Sequence, residues 1–417
     1  MNEGSQKVQR IYLTLLLFNT LAASLIWGIN TLFLLDAGLS NTEAFAANAF
    51  FTVGMLLFEI PTGVIADMRG RRLSYLLGVG TLAISTLLYL MMWQISAPFW
   101  GWAVSSILLG LGFTFFSGAT EAWLVDALTA SGFAGKLELV FAKGEIVEGA
   151  AMLAGSVAGG IIAQVTNLGV PYILRAIILV ITFILAFITM RDLGFKPVSG
   201  KHPLKEIKVI LKNSVEYGLG NPAVRWLMLA APFTMGVSIF AFYAMQPYLL
   251  ELYGNPHAYG IAGLAAAIVA GAQIAGGLFV PYIAKIVRHR TTALLVGVIL
   301  STVVLLFIGL IPNFWVAVSL LVVWGLMFSA LTPIRQTYLN SLIPSPQRAT
   351  VLSFDSLLGS SGGVVTQPAL GKAADVWGYP ASYLLSAGFQ ALAIPLTWLA
   401  RKNSTPADII DKDEKTP

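Results

Sequence analysis

Cysteine is absent from the 417 residues, and histidine nearly so, at His202, His257 and His289 only. The first absence excludes disulfides and thiolate metal sites, and three scattered imidazoles offer no ligand cluster. No nucleotide-binding loop occurs either, so neither a metal nor a cofactor is expected. Charge is scarce as well, at 11% of residues, against about 25% in soluble domains. Hydrophobic residues make up 57% and the mean hydropathy is +0.79, so lipid must be the solvent of this chain. The net charge of +5 could suggest nucleic acid. The basic residues instead fall in short loops between apolar runs, the pattern of anchors at a cytoplasmic membrane face.

What is present is long apolar runs. A bilayer-spanning helix needs about 20 mostly apolar residues. The breaks divide the chain into spans near 11–36, 43–66, 73–93, 99–126, 140–164 and 169–190. A second set follows near 223–251, 259–284, 291–310, 314–341, 349–371 and 380–400. The expected fold is all-α and integral to the membrane, with twelve transmembrane helices in two six-helix bundles, 11–190 and 223–400. Residues 1–10 form a short leading tail, and the Lys-rich stretch 191–222 reads as a linker, with an amphipathic surface helix over 204–219. The charged tail 401–417 reads as disordered.

Lys and Arg set the orientation. Lys7, Arg10, Arg69, Arg71, Arg72, Lys136, Lys143, the linker lysines, Lys285, Arg288, Arg290, Arg348, Arg401 and Lys402 share one side, and the other offers Lys372. Both termini are therefore expected in the cytoplasm, with the chain multi-pass in a plasma membrane, that of a bacterial inner membrane. An internal repeat supports the two bundles. "AWLVDAL" (Ala122–Leu128) matches "QTYLNSL" (Gln336–Leu342) at an offset of 214, and "GVIADMRGRR" (Gly63–Arg72) meets "PYIAKIVRHR" (Pro281–Arg290) at 218. Such repeats imply a pseudo-two-fold relation between halves.

The stretch "GVIADMRGRR" carries unusual charge for so apolar a chain. It resembles the signature between helices 2 and 3 of the major facilitator superfamily, matched by Gly63, Asp67, Gly70, Arg71 and Arg72. The resemblance implies secondary active transport by alternating access, with this cluster latching the cytoplasmic side and Asp126 as partner of the Arg pair. From the residues alone, Gly63 permits close helix approach, and Gly70 a tight turn. "AMLAGSVAGG" (Ala151–Gly160) partly resembles the helix-5 motif of the family's drug/proton antiporters. It keeps Gly155, Gly159 and Gly160 but has Ala151 and Ser156 where glycine and proline stand; close packing explains the same residues.

A charge in hydrocarbon costs about 2.5–3.5 kcal/mol, so each one asks for a role. Glu59, Glu121, Asp126, Glu145, Glu148, Arg175, Arg335 and Asp355 all fall within spans. Glu121 is the first candidate for carrying a coupling proton, then Glu59 and Glu148, the last sharing a helix face and bland partners with Glu145. The 214 offset relates Glu121 to Arg335; the family resemblance implies that helices 1, 4, 7 and 10 line a central cavity, which makes the two an expected gate pair on opposing walls. Trp27, Asn30, Trp123, Phe242, Tyr243, Gln246 and Tyr338 are the expected cavity walls. Apolar walls with few polar groups suit amphipathic organic compounds. The expected function is proton-coupled efflux of such compounds by a monomeric transporter. Uptake of a small organic solute is the alternative, and a channel or structural membrane protein the rival from another class. A nucleophile–base set is missing, so no enzyme is expected.

Overall fold

A computed structural model of the chain describes residues 3–197, 208, 212, 214–344, 347–403 and 405–410. Part of the linker, including Lys201, Lys205 and half of the surface helix expected over 204–219, lies outside the described residues; Ser214–Leu219 forms a π-helical turn.

The described residues are helical almost throughout, and their single β-bridge joins His289 to Ile409. Eleven helices are long and apolar enough to cross a bilayer. They are α1 (Glu3–Trp27), α2 (Asn41–Arg69), α3 (Arg71–Gln94), α4 (Phe99–Ala130), α5 (Leu137–Val165), α6 (Gly169–Thr189), α7 (Pro222–Tyr253), α8 (Tyr259–Ile283), α9 (Arg290–Leu310), α10 (Phe314–Leu342) and a segment of 53 residues, Thr350–Lys402. Non-helical backbone at Gly378 (φ 80°, ψ 170°), with Pro380 behind it, breaks that segment in two. A side chain would resist this conformation, which is essentially glycine's own. The parts before and after Gly378 are α11 and α12, so the spans number twelve.

Interruptions fall where the sequence permits them. α1 stops at Gly28–Ile29 and resumes over Asn30–Asp36. α4 breaks after Thr114 and restarts at Ala119 behind Gly118 (φ 65°). Pro61, Pro232, Pro247 and Pro333 sit inside helices; neighbouring groups in a membrane bundle re-satisfy the carbonyls they leave free.

The helices form two compact units, 1–39 with 50–206 and 256–267, and 40–49 with 207–255 and 268–417. The first turns of α2 thus cluster with the second unit, and those of α8 with the first. In the first unit, Tyr12, Tyr75, Leu82, Trp123, Leu124 and Leu179 belong to one buried core. Arg175 is 2% exposed, and it donates to Thr86 Oγ1 (3.0 Å) and the Ala22 carbonyl (3.1 Å), tying α6 to α3 and α1. These two bonds cross-brace three helices of the first unit. The second core gathers Val224, Met228, Leu294, Ile334, Tyr338 and Val351. Outward faces are as apolar as the cores: Ile177, Val180, Ile184 and Ile188 on α6 are exposed, as lipid contact requires.

The tail departs from expectation. Asp408, 1% exposed, accepts from the Thr291 backbone N–H (2.7 Å) and hydroxyl (2.7 Å), capping α9. Arg290 donates to the carbonyls of Ala407 (2.7 Å) and Ile409 (2.8 Å). Residues 405–410 are therefore strapped to the start of α9, because a helix N-terminus leaves donors that a carboxylate satisfies.

Candidate functional site

The cluster at the α2–α3 turn is built on Gly70, whose φ of 108° and ψ of 151° demand glycine. A Cβ there would also strike the Asp192 carboxylate. Asp192 accepts from the Arg72 backbone N–H (2.8 Å), so an anion sits on the N-terminus of α3. Arg71 pairs with Asp67 at 2.6 Å, and Arg72 donates to the Phe187 carbonyl (2.7 Å) with its guanidinium over the Phe187 ring. Asp126 is not the partner that either arginine takes. Asp67 is one helical turn away and reaches Arg71 first, while Asp126 meets the linker through its backbone carbonyl, against Gly194. Gly63 does not serve close approach: nothing lies within 4 Å of where its Cβ would be. Asp192 went unnoticed in the sequence because its partners are about 120 positions away.

The interior carboxylates separate into two groups. Glu59 on α2 accepts from the Ser117 hydroxyl at 2.5 Å, in the break of α4. Glu121 is exposed in the first turn of the restarted α4. Glu121, Glu145 and half-buried Glu148 lie within electrostatic reach of one another and of the Tyr12 hydroxyl, which rests on Gly144 of α5. Gly144 lets Tyr12 of α1 lie directly on α5, beside the two glutamates that stand three apart there. In the second unit, Arg335 on α10 grips Asp355 on α11 with both nitrogens, at 2.6 and 2.7 Å, and also reaches the Leu227 carbonyl at 3.3 Å. Asp355 was singled out only as a buried charge; the fork-on-carboxylate geometry shows it to be the arginine's partner.

The expected cavity residues divide. Trp123 and Tyr338 are core: they are 2% and 0% exposed, and the Trp123 indole N–H donates to the Arg191 carbonyl at 2.8 Å. Asn30 accepts from the Tyr172 hydroxyl (2.9 Å) beside the Phe33–Tyr172 stack, in the first unit's interior. Phe242 and Gln246 are buried on α7. Trp27 and Tyr243 are half-buried, with Tyr243 edge-on to Phe242.

Two helix starts are clamped in matching ways. Asp375 of α11 accepts from the backbone N–H groups of Asn41 and Thr42, each at 2.9 Å, and from the Thr42 hydroxyl; Tyr379 reaches Asn41, and Gly371 packs on Asn41 and Phe45. In the first unit, Gln164 of α5 accepts from the Gly260 N–H at 2.9 Å, and Gly160 packs on Tyr259 and Gly263. Tyr259 and Gly263 stand 218 positions after Asn41 and Phe45, so the internal repeat builds both clamps. Gly155 and Gly159 likewise lie against Ser24 and Leu25 of α1, so the helix-5 glycines serve packing.

No group of three or more His, Asp or Glu able to hold a metal occurs among the described residues. A family model described as Major Facilitator Superfamily matches residues 12–365 and again 257–416. The multidrug resistance protein MdtG of Salmonella arizonae is 25% identical over 354 residues, 81% of this chain and 80% of its own length. That of Salmonella choleraesuis is 26% identical over 345 residues with the same shares. Among solved structures, the nucleoside transporter NupG superposes with a TM-score of 0.72 at 10% identity, covering 96% of this chain and all of its own. A bacterial homologue of the human lysosomal transporter Spinster, inward-facing and unoccupied, gives 0.72 at 15%, covering 97% and 100%. These structures share the fold; the family match spans nearly the whole sequence, and the chain is a multi-pass transporter that belongs to the major facilitator superfamily.

Proposed function

We propose that the protein exports amphipathic, preferentially cationic organic compounds in exchange for protons, by alternating access. The observation that carries this reading is the carboxylate cluster of Glu121, Glu145 and Glu148 around Tyr12. No Lys or Arg occurs between Arg72 and Lys136, so α4 brings no cation to neutralise it. A proton and an organic cation compete for such a cluster, and that competition is the simplest exchange coupling. The names of the MdtG relatives point the same way. Glu121 is the first carrier, with Glu59 and Glu148 behind it. Glu59 already has the Ser117 hydroxyl, whereas Glu121 is exposed in the helix that restarts after Gly118. The protein works as a monomer in a bacterial inner membrane, with bundles 11–190 and 223–400 and both tails in the cytoplasm.

Glu121→Gln should abolish accumulation of a fluorescent cationic dye driven by a pH gradient in proteoliposomes. Dye exchange without a gradient should persist. Gradient-driven flux that survives in the variant transfers the role to Glu59. The Glu121–Arg335 gate belongs to the same proposal and requires Arg335 to leave Asp355. A Glu121→Arg/Arg335→Glu double variant that transports no better than either single change refutes the gate. Uptake of a small organic solute is the second reading, since a nucleoside transporter shares the fold; gradient-driven solute accumulation in whole cells would favour it.

A further inference from the structure

The second unit contains a cavity of about 110 Å³ between α7, α9, α10 and α12. Its polar groups are satisfied with one exception. Arg335 is held by Asp355, and the hydroxyls of Thr234, Ser238, Thr332 and Thr397 each donate to a carbonyl of their own helix. Gln390 on α12 is 4% exposed, and its Nε2 donates to the Ser301 hydroxyl at 3.1 Å. Its Oε1 finds no donor among the described residues. A buried amide oxygen left in this state is costly, which marks it as an attachment point.

A second recess of about 450 Å³ adjoins the first, with Gly297, Met327 and Leu331 lining both. Every residue lining it is apolar, and Val296, Leu300 and Val323 at its walls are exposed on outward faces of α9 and α10. Together the two form an apolar entrance on the lipid side and an inner chamber ending in one unsatisfied amide.

We propose that this is a binding site for a small neutral amphipathic molecule, a long-chain alcohol or a phenol, entering from the bilayer between α9 and α10. The apolar body lies in the outer recess, and the Leu331 side chain, packed against Gly297, is the partition whose rotation opens the way to the inner chamber. The hydroxyl reaches Gln390. A hydroxyl both donates and accepts, so it completes this amide whichever way its oxygen and nitrogen are assigned. Charged ligands are disfavoured, because Arg335 and Asp355 already neutralise each other at the chamber wall. The site lies within one unit, and its occupancy does not depend on the efflux reading.

The test is photolabelling of the full-length protein in lipid nanodiscs with a diazirine-bearing octanol, mapped by mass spectrometry. Saturable labelling is expected on 294–301 and 327–335. Gln390→Leu removes one neutral hydrogen bond and should raise the half-saturating concentration about fivefold. Val298→Phe fills the chamber and should abolish saturation, which keeps the test open if the first variant folds poorly. Absence of saturable labelling overturns the proposal, as does labelling unchanged in both variants. Saturable labelling by a photoreactive phospholipid tail but not by the octanol also overturns it, because a lipid chain is then the occupant.

Discussion

At the residue scale the Arg335–Asp355 pair governs the second unit. Asp355 is 7% exposed, and the guanidinium meets it at 2.6 and 2.7 Å while also reaching the Leu227 carbonyl. Removing the half-buried arginine leaves the buried carboxylate uncompensated, at up to about 3–5 kcal/mol. Arg335→Met should therefore lower the thermal midpoint of the purified protein strongly. An Arg335→Met/Asp355→Leu double variant should regain most of that loss, since a well-packed apolar pair is often as stable as an ionic one. A double variant no more stable than Arg335→Met would mean that the arginine acts through Leu227 alone. Gly70 shows the opposite kind of constraint. Its φ of 108° and the adjoining Asp192 carboxylate leave no room for any side chain, whatever the latch does.

At the scale of elements, helix starts are controlled from a distance. Asp408 caps α9 from a tail more than a hundred residues downstream. Asp408→Ala should cost about 1–2 kcal/mol, the usual loss of a capping side chain, and truncation after Asn403 should cost at least as much. Equal melting of truncated and intact protein would reduce the strap to a passive contact. The clamp of Asp375 on Asn41 and Thr42 is an exposed charge–dipole interaction, typically about 0.3–1 kcal/mol. That suffices to shift a two-state equilibrium about two- to fivefold. Because the chain has no native cysteine, an Ala44→Cys variant carries the sole thiol. Its reaction with an impermeant maleimide should run about two- to fivefold faster when Asp375→Asn is added. Gln164→Leu, at the matching clamp, should act in the same direction on a thiol placed at the buried Ala262, the position 218 residues after Ala44.

At the scale of the whole molecule, the uneven spread of Lys and Arg predicts orientation. Reporter fusions at Lys201 and Lys412 should read cytoplasmic and one at Asn255 external, because positively charged loops resist translocation. An external reading at Lys201 would invert the protein. If the fusions read as expected, both clamped helix starts lie on the external side, and the proposed alternating access would have to open them. The two clamps differ chemically, with Asp375 in one and Gln164 in the other, so the repeated halves are equivalent in shape and unequal in charge.

Apolar run length was sufficient for the twelve spans, and charge placement supplies the orientation that the reporter fusions test. Both signals depend on lipid as solvent, which acts on every residue of a span regardless of its neighbours. Gly70 was legible for a similar reason, since a basic pair straight after a glycine at a span boundary admits few turns. Partners were not legible. Asp126 looked like the counter-charge for Arg71 and Arg72, yet Asp67, Asp192 and the Phe187 carbonyl hold those positions. Trp123 and Tyr338 read as cavity walls, but rotation about the helix axis turned them into the cores. The orphaned Gln390 and the tail strap left no trace in composition or spacing. Hydrogen bonds and cavities depend on distances of a few ångströms between helices far apart in the chain, and only the packed tertiary structure sets those distances.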